Sequence, residues 1–120
     1  MKRYLFAVFC LLVCLVAAAR QRIKIACVGN SITYGYGLPD REVQAYPARL
    51  QKMLGDGYEV GNFGKSGATL LSSGHRPYIR QEEYRKAIEF APDIAVIHLG
   101  INDTTRATGL TFATRSSKTT

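Results

Sequence analysis

Apolar positions along the chain fall into three short runs and two periodic stretches. Residues 23–28 (IKIACV) and 94–99 (IAVIHL) are nearly continuous apolar segments rich in β-branched side chains, the pattern of strands covered on both faces. Residues 58–63 (YEVGNF) form a third, shorter run. Tyr46, Leu50, Met53 and Leu54 recur at helical spacing and stop at Gly55-Asp56-Gly57, and Tyr84, Ala87, Ile88 and Ala91 do the same ahead of Pro92. These stripes predict helices over 46–54 and 82–90. Residues 35–45, rich in Gly, Pro and charge, and 64–74, rich in Gly and Ser, predict loops. The order strand, helix, strand, helix, strand predicts an α/β fold with a parallel sheet and right-handed crossovers.

Each run ends in a glycine-containing polar turn: Gly29-Asn30-Ser31, the loop opening at Gly64, and Gly100-Ile101-Asn102-Asp103. Parallel strands gather such turns on one edge of the sheet, where open α/β sheets bind ligands. Ser31, on a sharp turn after a buried strand, is the candidate nucleophile. The plain alternative is an N-cap, with Ser31 accepting from the first turn of the following helix. Another is a phosphate-binding module in which backbone N–H groups of residues 29–37 cradle the anion, although no Lys or run of Gly and Thr favours phosphate there.

Charge changes the picture only at the ends. The formal net charge of +7 comes from Lys2, Arg3, Arg20 and Arg22 in front and Arg106, Arg115 and Lys118 behind, while residues 23–103 are balanced. A nucleic-acid face needs clustered basic charge, so nucleic acid is not an expected partner. Lys2-Arg3, the uncharged apolar residues 4–16 and Ala17-Ala18-Ala19 have the anatomy of a secretory signal peptide. A leader over 1–19 and a secreted or periplasmic product are therefore expected, with no stable membrane anchor after cleavage. Cys10 and Cys14 lie in that leader, which leaves Cys27 as a packed thiol without a disulfide partner.

The blocks GNSIT, NFGKSGAT and HLGIND, in that order over residues 23–103, together resemble the SGNH (GDSL-type) hydrolases, a family of esterases and lipases. The resemblance implies a flavodoxin-like three-layer α/β/α sandwich and carboxylic ester hydrolysis without metal or organic cofactor. The implied substrate is a small acyl ester such as an acetylated carbohydrate. It makes Ser31 the nucleophile and places Gly67 and Asn102 in the oxyanion hole, with the N–H groups of Ser31 and Gly67 and the Asn102 amide as donors. Such donors supply much of the rate of acyl transfer. Asn30 stands where the family often has Asp, a departure that keeps a short polar turn residue.

A serine also needs a base, which the family supplies from a C-terminal Asp-x-x-His block that this sequence lacks. Its two histidines are His75, in a loop on the catalytic side, and His98, expected to be a core or helix-facing structural residue. Little or no turnover is therefore expected. The chain reads as the N-terminal portion of the domain (residues 20–103), ending after the third strand. Residues 104–120 read as a disordered tail; a one-base frame shift before the Thr105 codon would replace it with a Pro/Trp loop and an acidic helix start. Without further strands the third becomes an apolar edge prone to aggregation. A last reading is a carbohydrate-binding remnant that stacks sugars on Tyr34, Tyr36 and Tyr78.

Overall fold

A three-stranded parallel sheet of order β2-β1-β3 organises the computed structural model, which describes residues 1–17 and 20–104. The strands are β1 (Ile23–Gly29), β2 (Tyr58–Gly64) and β3 (Ile94–His98). Register is even, with Gly29 level with Gly64 on one side and with His98 on the other. The turns that follow all three strands therefore lie along one rim. The tail beyond Thr104 lies outside the described residues.

Helix α1 (Lys2–Ala17) covers the apolar front of the chain, and the side chains of its residues 2–13 are exposed. Among the described residues no helix is long and apolar enough to cross a membrane. After β1 come α2 (Ser31–Tyr34), α3 (Arg41–Gln44) and α4 (Tyr46–Leu54), and α5 (Glu82–Glu89) precedes β3. Pro47 at the start of α4 and Gly55 at its end, with φ +75°, follow the usual asymmetry of helix termini. Helix α5 starts on Glu82 and Glu83, which suit the positive end of its dipole, and the Glu82–Lys86 pair at 2.9 Å supports it.

Strand alternation puts α4 and α5 on opposite faces. Cys27 meets the Tyr46 hydroxyl of α4, whereas Ala26, Val28, Ala95 and Ile97 look toward Ala87 and Ile88 of α5 across an apolar groove of about 460 Å³. The core is centred on β1, where Ile25, Ala26 and Cys27 are buried.

Three expectations change here. Residues 35–45 are not all loop, since 41–44 make a turn of helix. Met53 belongs to no buried stripe, being 83% exposed. All of β3 is exposed, His98 included, so His98 is not a core residue. No strand beyond β3 is found among the described residues, so β3 forms an edge of the described sheet.

Candidate active site

The turn after β1 settles what caps α2. Asn30, fully buried, is the N-cap: its Oδ1 accepts from the Ile32 N–H at 3.1 Å. A short amide reaches its own backbone two residues on, as an Asx turn does. Ser31, the first helical residue, is thus spared the capping role. It is half-buried, and its hydroxyl makes no hydrogen bond among the described residues. Its N–H has no acceptor there either, as the first helical position dictates. The Nδ2 of Asn30 is buried without a partner, an orphan donor that this cap leaves behind. On the buried side of α2, Thr33 Oγ1 lies 3.3 Å from the Tyr46 hydroxyl. Burial pushes the Cys27 thiol and the Tyr46 hydroxyl above their ordinary values, so both stay protonated and inert.

The loop after β2 is fastened to that turn. Lys65 N–H donates to Gly29 O at 2.9 Å, and a Cβ at Gly64 would run into the Tyr34 backbone, so only glycine lets α2 press this close. Residues 65–68 then close a β-turn, Ala68 N–H donating to Lys65 O at 3.1 Å. Gly67 holds its third position at φ +77°, a conformation that L side chains rarely adopt, and its N–H makes no hydrogen bond among the described residues. Farther on, Thr69 pairs with the strap at residues 76–78: its N–H donates to Arg76 O at 2.8 Å and its O accepts from Tyr78 N–H at 2.9 Å.

The turn after β3, Ile101–Thr104, locks onto the same loop. Asn102 Nδ2 donates to Ala68 O at 2.9 Å. Asp103, 7% exposed, accepts from Leu70 N–H at 2.9 Å and Leu71 N–H at 2.7 Å. Sequence reasoning overlooked Asp103, whose only signal was a carboxylate directly after the block-three asparagine, in a turn facing a loop with open amides. Asn102 thus holds the loop after β2 as well as standing on the rim.

Hydrogen bonds therefore join the rim turns bearing Ser31, Gly67 and Asn102 into one unit. The imidazoles of His75 and His98 do not join it, both being exposed and without a side-chain hydrogen bond among the described residues. The tyrosine surface does not exist as imagined. Tyr78 is 3% exposed and its hydroxyl donates to Phe63 O at 2.6 Å, while the Tyr34 ring carries the Arg41 guanidinium 4.1 Å from its centre. Only Tyr36, 77% exposed, offers an open ring. Among the described residues no group of His, Cys, Asp and Glu is arranged to hold a metal ion.

An acetylxylan esterase of Xylanibacter ruminicola is 48% identical over 87 residues, which cover 72% of this chain and 18% of that protein. Two solved structures, an SGNH-hydrolase family esterase called AlinE4 and a mutant of it, are 29% identical with a TM-score of 0.48, covering 69% of this chain and 42% of theirs. The chain thus spans less than half the length of these relatives. Residues 27–116 match the family described as GDSL-like Lipase/Acylhydrolase, and since that match takes in the β1 turn and both of the other rim turns, the chain belongs to this family.

Proposed function

We propose that Ser31 is the nucleophile of a carboxylic ester hydrolase acting on small acyl esters, with acetylated carbohydrate as the substrate class, in a protein exported by the leader at 1–19. The observation that carries this reading is the division of labour at the β1 turn. Asn30 takes the cap, which leaves the Ser31 hydroxyl unspent on a rigid rim. The substrate class follows the acetylxylan esterase to which 72% of the chain is similar.

The Ser31 oxygen attacks the acyl carbon and the carbonyl electron pair moves onto its oxygen. The N–H groups of Ser31 and Gly67, with the Asn102 amide, meet that developing negative charge. Collapse of the intermediate expels the sugar oxygen, which takes up a proton, and water then attacks the acyl-serine to release acetate. Neither His75 nor His98 hydrogen-bonds Ser31 among the described residues, so solvent accepts the serine proton and turnover is weak, sustained by the oxyanion donors.

The test is acetate release from acetylated xylan and from 4-nitrophenyl acetate. The expected result is slow release that falls well below the level of the chain itself in Ser31→Ala, to what the oxyanion donors alone support. Equal release by the chain and the variant overturns the proposal.

A further inference from the structure

The oxyanion donor assigned to Gly67 belongs to the peptide bond that joins it to Ser66, and that bond is the central peptide of the turn 65–68. Turns of this kind have two states that differ by a flip of the central peptide. A positive φ at Gly67, with no positive φ at Ser66, makes this one type II. A flip to type I reverses the peptide, points the Gly67 N–H the opposite way and removes the donor. Glycine at the third position makes both states accessible, so something else must choose between them.

Arg76 sits where that choice is made. Its Nη1 donates to Ser66 O at 2.9 Å, and its guanidinium lies across the open face of Gly67, 3.4 Å from where a Cβ would stand. The same residue is held through its backbone, since Arg76 O accepts from Thr69 N–H at 2.8 Å. No carboxylate of the described residues pairs with it, so its charge is directed at the turn.

We propose that Arg76 is a positioning residue that locks the Ser66–Gly67 peptide in the orientation presenting the Gly67 N–H to the substrate oxygen; this rests on the reading of Gly67 as an oxyanion donor. A charge-assisted bond is roughly twice as strong as a neutral one. A cation on the carbonyl of a peptide also polarises that peptide, which strengthens its N–H as a donor. Arg76 therefore sets both the direction and the strength of the donor without touching the substrate.

The test uses the whole chain as Arg76→Met, which keeps the aliphatic packing, and as Arg76→Lys, which keeps one charged donor. Two quantities are read: the turn state by NMR, and the rate at which a fluorophosphonate labels Ser31. In the chain itself the Ser66 Hα to Gly67 H^N cross-peak is strong, as in a type II turn. In Arg76→Met it weakens in favour of a Ser66 H^N to Gly67 H^N cross-peak, and labelling falls by about 10²-fold, the order of losing one oxyanion donor. Arg76→Lys restores part of both. An unchanged type II pattern in Arg76→Met overturns the lock. A flipped turn with labelling unchanged overturns its link to the oxyanion. Absence of Ser31 labelling in the chain itself overturns the esterase reading, and the cross-peaks still decide the lock.

Discussion

The two edges of the sheet are finished in opposite ways. At the β2 edge, Gln51 of α4 takes the outward backbone groups: its Oε1 accepts from Val60 N–H at 2.7 Å, and its Nε2 donates to Tyr58 O at 3.0 Å and to Gly55 O at 3.1 Å. One side chain thereby pairs two backbone groups of β2 that a neighbouring strand would otherwise take. At the β3 edge nothing comparable exists among the described residues. Ile94, Val96 and Ile97 are 47%, 40% and 65% exposed, and the groove beside α5 is lined almost wholly by apolar side chains. An apolar edge without charge or cover invites pairing with another chain. The lesson is that the rim turns hold together across both sides: those bearing Ser31 and Gly67 are tied to β1 and β2, and Asn102, after the open strand, reaches them through Ala68.

Several substitutions break or sharpen that contrast. The largest effect is expected at Ile25, 6% exposed in the central strand, where Ile25→Ala should cost about 2–5 kcal/mol. Ile97→Ala, at the open edge, should change stability by only about 0.5 kcal/mol. Urea unfolding of both variants at low protein concentration decides it, and equal losses would mean that the β3 side is covered in solution. Next, Gln51→Ala should cost about 1–3 kcal/mol, because the Val60 N–H loses its acceptor, and should add self-association through β2, which sedimentation would detect. If β2 is protected by other means, both changes will be absent.

The smallest effect is a pH dependence of the closed side. Burial raises the Cys27 thiol above 9.0 and the Tyr46 hydroxyl above 10.0 in the folded chain. Above those values the unfolded chain releases protons that the folded chain retains, so stability is intact below about pH 9 and declines as pH rises further. Thermal unfolding from pH 7 to 11 should show this fall, reduced in Cys27→Ala. A flat profile would place both groups in contact with water.

Much of this arrangement is legible in the sequence because it is local. Apolar runs ending in glycine marked the three strands and the shared rim, and helical spacing marked α4 and α5 within a residue of their ends. The four-residue α3 left no periodic signal, since Val43 is 61% exposed. Covered faces were expected for β3 from its composition, but burial depends on neighbours that the run itself does not specify. The same holds for Gln51, Arg76 and Asp103. Each is an ordinary polar residue in the text, and each acts through backbone groups 4 to 33 positions away in sequence, contacts that only folding creates.

The central claim is that the serine following β1 is chemically distinct from every other hydroxyl in the chain. Treating the chain with a fluorophosphonate and mapping the adduct by peptide mass spectrometry tests it directly. A single adduct on Ser31, absent in Ser31→Ala, is the expected result. An unmodified Ser31, or labelling spread over Ser66, Ser72 and Ser73 as readily as over Ser31, would contradict it.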